Sequence, residues 1–260
     1  MYEEPFSASE ASPVPTAKAP RTFGEIPGLW LRFFQMNESF FAAEAPRASD
    51  SNTIISLVVM VVISTVFSVI SSIITSSARA ILIPELQEFA IVGIGSGIMG
   101  ALCGGLCFGL IGALLGFYIS NGLIYLCARL FGGKGDFSTQ TYLVSLFTIP
   151  LSVIGQGVGI VFSLPVLLFH QMHFVLMLVI GLVMFAIGLG IAIYTIVLYA
   201  RALKVTHGLS TGMAVLATLL PTVVFVGLIA CVTVAILVLL GPTISEVFEE
   251  IMWELQQYQS

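Results

Sequence analysis

The sequence predicts an all-α membrane protein: a polytopic helical bundle with five transmembrane helices, its N-terminus cytoplasmic and its C-terminus outside. Three observations lead to this prediction. Of the 260 residues, 58% are hydrophobic and only 9% are charged, whereas a soluble domain carries about 25% charged residues. The apolar residues form long stretches without a charge. The basic residues lie mostly on one side of the spans that these stretches define.

The same composition excludes several classes of protein. So apolar a chain cannot cover its surface with polar groups, as a soluble enzyme does. The net charge is −5, with nine Lys and Arg against 14 Asp and Glu, so we expect no nucleic-acid partner. The four cysteines lie in apolar runs, where no disulfide framework is expected. They are Cys103, Cys107, Cys127 and Cys231. Membrane lipid is therefore the first expected partner.

The N-terminal part divides into two segments. Residues 1–22 are rich in Pro, Ser and Ala and are expected to be a disordered tail rather than a signal peptide. Residues 23–52 are expected to form a cytoplasmic interfacial amphipathic helix and a linker, because apolar side chains recur at helical spacing over 23–41. Its apolar face comprises Ile26, Leu29, Trp30, Phe33, Phe34, Phe40 and Phe41. Packing on the membrane surface is the simpler interpretation, and docking of a partner is the alternative.

Residues 53–240 are predicted to form the membrane domain. Four uncharged stretches of 28, 40, 64 and 41 residues follow one another here, and a span needs about 20 apolar residues. Polar residues around Pro165 and His170 divide the stretch of 64 into two spans. The predicted spans are about 53–78, 104–128, 140–164, 174–200 and 213–240.

The stretch of 40 residues, 89–128, decides the topology. If it forms one span with a Gly-rich leading segment, eight basic residues share one side of the membrane and only Arg79 lies on the other. If it forms two spans, the basic residues divide almost evenly. Because cytoplasmic flanks collect Lys and Arg, five spans is the better prediction. The basic side then holds Lys18, Arg21, Arg32, Arg47, Arg129, Lys134, Arg201 and Lys204.

Residues 241–260 are predicted to form an acidic amphipathic helix that follows a break at Gly241-Pro242. An acidic helix avoids the anionic cytoplasmic leaflet, which agrees with an outside location. Its apolar stripe comprises Ile244, Phe248, Ile251, Leu255 and Tyr258.

The sequence offers no candidate for catalysis, a cofactor or a metal. No Asp, Glu, Lys or Arg lies inside a predicted span, whereas proton relays and coupled transporters usually keep ionisable groups there. The pattern Gly95-x-Gly97-x-x-Gly100 lacks the strand and the acidic residue of a dinucleotide site. His170-x-x-His173 supplies too few ligands for a metal ion. We therefore expect no enzyme.

Small residues suggest close contacts between helices. Gly105, Gly109, Gly112 and Gly116 recur on one face of the second span and are predicted to be helix-packing residues. A glycine-lined pore is the alternative. In the first span, hydroxyl side chains follow one side, either as a packing stripe or as a polar translocation path. They are Ser64, Ser68, Ser71, Ser72 and Thr75.

Three segments resemble the Yip (Ypt/Rab-interacting protein) family of membrane proteins, which carry a Yip-one domain. They are Leu130-Phe-Gly-Gly-Lys-Gly-Asp-Phe-Ser-Thr-Gln-Thr141 with Pro150 beyond it, Tyr199-Ala-Arg-Ala-Leu-Lys-Val-Thr-His-Gly-Leu-Ser-Thr-Gly-Met-Ala214, and Ile26-Pro-Gly-Leu-Trp30 with Phe40-Phe41. The resemblance covers about 23–240. The Asp-Leu-Tyr-Gly-Pro type motif and the longer N-terminal domain of eukaryotic members are missing, so the chain is more similar to the prokaryotic-type branch.

The resemblance implies five helices, a cytoplasmic N-terminus and a lumenal or outer C-terminus. It also implies membrane-protein partners, with a small GTPase of the Rab type if the source is eukaryotic. The bacterial cytoplasmic membrane is the expected location, with the endoplasmic reticulum or Golgi membrane as the eukaryotic counterpart.

Two functions remain open at this point. The first is a membrane scaffold or adaptor that binds partners at its cytoplasmic face. The alternative is a small-solute permease or channel that acts as a homo-oligomer. The candidate partner-binding residues are Trp30, Phe33, Phe34, Arg129, Lys134, Arg201 and Lys204, because aromatic residues and Arg contribute most to interface energies.

Overall fold

The structure, a computed structural model, describes residues 18–82, 92, 95–168 and 174–257, and the expected tail lies almost entirely outside these ranges. No strand occurs in the described part of the chain. Five of its helical segments are long and apolar enough to cross a membrane, which confirms the predicted all-α class and the five spans. The segments are Asp50–Ser77, Gly95–Leu130, Phe137–Ser163, Val175–His207 and Thr211–Leu240.

Two short and five long α-helices follow one another along the described chain. Short 3-10 turns at Phe23–Glu25, Phe33–Gln35 and Ala45–Arg47 separate the elements that precede the membrane domain. The α-helices are α1 (Ile26–Trp30), α2 (Glu38–Glu44), α3 (Asp50–Leu82), α4 (Gly109–Leu130), α5 (Phe137–Leu168), α6 (Phe174–His207) and α7 (Thr211–Gln257).

The second span is one continuous helical segment that includes a π-helix. Residues 95–99 are α-helical, Gly100–Phe108 form the π-helix, and α4 follows directly. Glycines at 100, 104 and 105 lower the steric barrier to this wider backbone path. The Gly-rich leading segment is therefore part of the span from residue 95, which is earlier than the predicted start near 104.

The prediction of one amphipathic helix over 23–41 is wrong. The segment forms α1, the 3-10 turn and α2 instead. Asn37 starts α2 as its N-cap, since its side-chain oxygen accepts a hydrogen bond of 2.9 Å from the backbone N–H of Phe40. A residue with extended backbone at this cap cannot continue a helix from the preceding turn.

The predicted break at Gly241-Pro242 is also wrong, because α7 continues through it to Gln257. A proline removes one backbone donor and bends a helix, yet such residues are tolerated where neighbouring groups and local adjustments compensate. With 47 residues, α7 is about 70 Å long at 1.5 Å per residue.

The buried core is concentrated at one end of the bundle. Here α1, α2 and their turns pack on the first turns of α5 and the last turns of α6, and the end of α4 packs on α6 and α7. Farther along, the most apolar windows of α6 and α7 contain no buried residue among those described. These helix surfaces are therefore available to lipid or to another chain.

Candidate functional site

One end of the bundle, here named the capped end, is covered by residues 21–47. The loops 131–136 and 208–210 lie at the same end. The side chains of Ile26, Met36 and Phe41 are fully buried there. The ring of Phe41 meets the ring of Phe147 on α5 edge to face, with 6.1 Å between centroids. The N-terminal segment is therefore part of the core rather than an independent helix on the membrane surface.

Three side chains of α6 bind the N-terminal segment. Arg201 donates a hydrogen bond of 2.9 Å to the carbonyl oxygen of Met36, and the Tyr194 hydroxyl donates one of 2.8 Å to that of Phe33. Lys204 forms an ion pair with Glu38 at 2.8 Å. Because short helical turns leave carbonyl oxygens without internal partners, these donors stabilise the broken path of the segment.

A second ion pair fastens the start of the segment to α2. The Arg21 guanidinium donates two hydrogen bonds to the Glu44 carboxylate, one of them 3.0 Å long. Glu44 is only 3% exposed, and its hydrogen bonds raise the pKa of Arg21 above its ordinary value. Asn52, in the first turn of α3, donates a hydrogen bond to the Arg21 carbonyl oxygen. This pair thus links α2 to the first span.

The loop Phe131–Asp136 is a tight turn, as its composition predicts. Gly132 has φ of +86° and ends α4 in a Schellman motif, because Gly133 N–H donates to Ala128 and Gly132 N–H donates to Arg129. A Cβ on Gly133 would lie 2.9 Å from the imidazole Nδ1 of His207. A Cβ on Gly135 would overlap the carbonyl oxygen of Thr206. The backbone conformation at Gly132 and the close contacts at Gly133 and Gly135 therefore explain why glycine occupies these three positions.

A chain of polar groups joins this loop to three spans. The Gly135 N–H donates to Nδ1 of His207, so the neutral ring carries its proton on Nε2 and donates it to the Gln140 side-chain oxygen at 2.9 Å. The Gln140 amide in turn donates to the Asn121 carbonyl oxygen at 3.0 Å. His207 is thus a structural residue whose two ring nitrogens both have partners.

Asp136 begins the next span. Its carboxylate accepts a hydrogen bond of 2.7 Å from the Thr139 N–H, which is the N-cap expected for this position. The Ser138 hydroxyl, two residues farther on, donates a hydrogen bond to Asp50 at the start of α3. The first turns of α3 and α5 are thereby held together.

The seven candidate partner-binding residues differ in their exposure and in their contacts within the chain. Phe33 is buried, and Arg201 and Lys204 are engaged by the N-terminal segment, so these three maintain the capped end itself. Trp30 is half-buried. The exposed candidates are Phe34 at 77% exposure, Arg129 and Lys134.

Arg129 is exposed but held in place. Its Nε donates to the Tyr125 hydroxyl at 3.0 Å, and one terminal nitrogen donates to the Gly133 carbonyl oxygen at 3.2 Å. Its guanidinium carbon also lies 5.4 Å from the centre of the Tyr125 ring. A positioned cation of this kind loses little conformational entropy when it binds a partner.

The four predicted packing glycines do not form one continuous contact within the chain. A Cβ on Gly105 would lie 2.9 Å from the Thr65 hydroxyl oxygen of α3. A Cβ on Gly109 would meet only its own helix, and one on Gly112 or Gly116 would meet no described atom within 4 Å. The expectation of close helix packing therefore holds for Gly105 alone, because the other three face away from the neighbouring helices of the same chain.

A polar cavity of about 760 Å³ lies in the other half of the bundle. Here it is named the hydroxyl cavity. Side chains of α3, α5 and residues 96–97 line it. Gln156 donates a hydrogen bond of 2.8 Å to the Ser64 hydroxyl beside the cavity and so joins α5 to α3. The lining residues are Phe67, Ser68, Ser71, Ser72, Thr75, Ser76, Ser96, Gly97, Gln156, Gly159 and Ile160.

The hydroxyls of α3 form a pattern that is visible in the sequence, whereas the roles of Asn121, Gln140 and Gln156 were not predicted. All three are amide residues in otherwise apolar spans. Such residues are costly in lipid and hydrogen-bond across helices, so their isolation was the available signal. No group of three His, Cys, Asp or Glu that could hold a metal ion occurs within the described ranges. His170 and His173 lie outside them.

Taken together, the apolar helices define an integral membrane protein with five spans. A family profile described as the Yip1 domain matches residues 34–234, from the 3-10 turn of the capped end to the middle of α7. The chain belongs to the Yip1 domain family. No curated protein and no solved structure matches it.

Proposed function

We propose that this protein is a non-enzymatic membrane adaptor that binds partner proteins at its capped end, on the cytoplasmic side of the membrane. One observation carries the proposal: exposed apolar side chains and positioned cations share an end of the bundle that is rigidly packed. Leu31 and Phe34 are 86% and 77% exposed, and Arg32, Arg129 and Lys134 are exposed at the same end.

Rigidity makes this end suitable for binding. Arg201, Tyr194 and the Arg21–Glu44 pair hold the backbone that carries Leu31 and Phe34. Binding of a partner then costs little conformational entropy, because the surface is already ordered. Aromatic and Arg side chains supply most of the binding energy. The basic side chains also favour the cytoplasmic side.

The expected partners are other membrane proteins, with a small GTPase among them if the source is eukaryotic. In that case the location is the endoplasmic reticulum or Golgi membrane, and otherwise it is the bacterial cytoplasmic membrane. The family membership supports this assignment.

Chemical crosslinking in native membranes followed by purification tests the proposal. Phe34→Ala should reduce recovery of the crosslinked partner by about tenfold, the scale of one interface aromatic. Phe225→Ala is the matched control, because Phe225 is 62% exposed on the lipid-facing part of α7. Equal recovery with both variants would contradict docking at the capped end.

Arg129→Lys separates a protein partner from anionic lipid. Lipid attraction depends on charge, which Lys retains, whereas a planar Arg contact is lost. Reduced recovery with normal membrane insertion supports a protein interface. Unchanged recovery of the partner would mean that Arg129 interacts with anionic lipid or sets the topology and does not contact a partner protein.

A second candidate function is a small-solute permease or channel that acts as an oligomer. The hydroxyl cavity favours it, because this polar, uncharged space between α3 and α5 has room for a small solute. Selective solute flux into vesicles that contain only the purified protein tests it. Absence of flux above that of empty vesicles rejects it.

A further inference from the structure

We propose that the hydroxyl cavity binds a neutral polyhydroxy group such as a sugar ring. The cavity has walls from three separate segments, α3, α5 and residues 96–97. Its volume of about 760 Å³ lies within the range of roughly 300–1,000 Å³ that is typical of small-molecule sites. This assignment does not depend on the adaptor function.

The lining selects the chemistry of the ligand. It consists of hydroxyl side chains, one carboxamide, two glycines and two large apolar residues, and none of these carries a charge. Hydroxyls and a carboxamide both donate and accept hydrogen bonds, as the hydroxyl groups of a polyol do. An ion would need a paired charge to offset its desolvation, and no lining residue supplies one.

Several hydroxyls of the cavity lack the hydrogen bond that three span threonines outside it make within their own helix. Thr65, Thr195 and Thr218 each donate to the carbonyl oxygen four residues earlier, which is how a hydroxyl is usually satisfied in a membrane helix. Within the described ranges, the hydroxyls of Ser68, Ser71, Ser72 and Thr75 form no such bond. Their hydrogen-bonding capacity is therefore available to a molecule in the cavity.

The position of the cavity allows a ligand to reach it. Asp50 is charged and begins α3 at the capped end, so the hydrocarbon starts no earlier there. Ser72 lies 22 residues farther along α3, or about 33 Å at 1.5 Å per residue. The hydrocarbon is about 30 Å thick, which places the cavity at the opposite membrane boundary. A sugar there can belong to a lipid headgroup or come from aqueous solution.

Gly159 offers a way to fill the cavity without disturbing the fold. It lines the cavity on α5, and a Cβ there would meet no described atom within 4 Å. Gly159→Leu should therefore place its side chain in the cavity. Gly155→Leu is the matched control, because Gly155 lies one turn earlier on the same helix, is equally free of neighbours and does not line the cavity.

The test uses the full chain in phosphatidylcholine nanodiscs, with no sugar-based detergent present. One arm measures binding of radiolabelled methyl glucoside by equilibrium dialysis, and the other measures retention of a monoglucosyl diacylglycerol against unmodified diacylglycerol. We expect saturable binding in at least one arm, which identifies the source of the sugar. Gly159→Leu should weaken it at least tenfold, and Gly155→Leu should leave it unchanged.

A second pair of variants keeps the test independent of packing at Gly159. Ser71→Ala combined with Ser72→Ala removes two hydroxyls and should weaken binding about thirtyfold, which corresponds to about 1 kcal/mol for each of two lost hydrogen bonds. Ser163→Ala is its control, since that hydroxyl donates to Ile160 and does not line the cavity. The proposal is overturned if neither arm shows saturable binding, or if each variant and its control behave alike. Partner recovery in the crosslinking experiment is unaffected by either outcome.

Discussion

The guanidinium of Arg201, near the end of α6, donates a hydrogen bond of 2.9 Å to the carbonyl oxygen of Met36, which precedes it by 165 residues. This contact binds an element outside the membrane domain to the fourth span. It turns a segment of short helical turns into part of the core.

Loss of this contact should release the N-terminal segment. We expect Arg201→Met to cost about 2 kcal/mol, as for a hydrogen bond to a charged donor. Cleavage by trypsin after the exposed Arg32 should then become several times faster. Lys134→Met is the control, because Lys134 is exposed at the same end. Equal cleavage rates in the two variants would show that Arg201 does not hold the segment.

The ion pairs of Glu44 and Glu38 should differ in energy. Glu44→Gln should lower the free energy of unfolding by about 2 kcal/mol, because Arg21 loses its charged hydrogen-bond acceptor and keeps only the half-exposed Glu25, at 3.7 Å. Glu38→Gln should cost less than about 1 kcal/mol, since the Glu38–Lys204 pair is exposed. Denaturant titration in detergent measures both values. A smaller loss for Glu44→Gln than for Glu38→Gln would contradict the structure.

The glycine loop should tolerate substitutions in a defined order. Gly135→Ala should be the most damaging, because its Cβ would overlap the carbonyl of Thr206, and we expect a loss of about 3 kcal/mol, the upper end for overpacking. Gly132→Ala should cost about 1–2 kcal/mol for the positive φ. Gly122→Ala, inside α4 with no described neighbour at its Cβ, should be neutral or stabilising. Thermal unfolding of the three variants checks this order.

The glycines of the second span should also differ in how much a substitution by Leu changes the stability of the protein. Gly105→Leu should destabilise the chain by about 1–3 kcal/mol, as for an overpacked core, because Thr65 lies against it. Gly112→Leu should leave the stability of the single chain unchanged. Thermal stability in detergent measures both. A large loss for Gly112→Leu would show that its face contacts another helix, and sedimentation would then show whether that helix belongs to a second copy.

Topology can be measured by cysteine labelling. In a background without Cys103, Cys107, Cys127 and Cys231, a membrane-impermeant maleimide should label Lys134→Cys and a cysteine added after Ser260 from opposite sides. The basic residues on one side of the spans are the reason for this expectation. Labelling of both positions from the same side would refute the five-span topology.

Local sequence patterns were sufficient to predict the spans, and the turn at residues 131–136 and the N-cap Asp136 carry local signals of the same kind. Hydropathy, glycine and capping residues act over a few positions, so each leaves a local signal. The prediction of five spans, which rests on the charge bias of the whole chain, also held, and the described residues 95–130 form one continuous helical segment.

The capped end could not be predicted from such patterns. Phe33 and Tyr194 are 161 residues apart in sequence, and neither residue alone indicates the other. The four glycines of the second span show the same limit, because their spacing predicts a smooth helix face but does not indicate which helix packs against it. Only one wall of the hydroxyl cavity could be predicted from the sequence, because the hydroxyl spacing in α3 shows that they share a helix face. The wall that contains Gln156 and Gly159 depends on how α5 packs on α3, which no local pattern indicates.

The uneven distribution of buried side chains has a mechanical consequence. The spans are clamped together where the N-terminal segment covers them, and the apolar lengths of α6 and α7 beyond have no buried residue among those described. A bilayer that thins or curves can therefore change the tilt of their far ends without opening the core. A change in bilayer thickness should therefore act on the loosely packed lengths of α6 and α7 and leave the packing of the capped end unchanged.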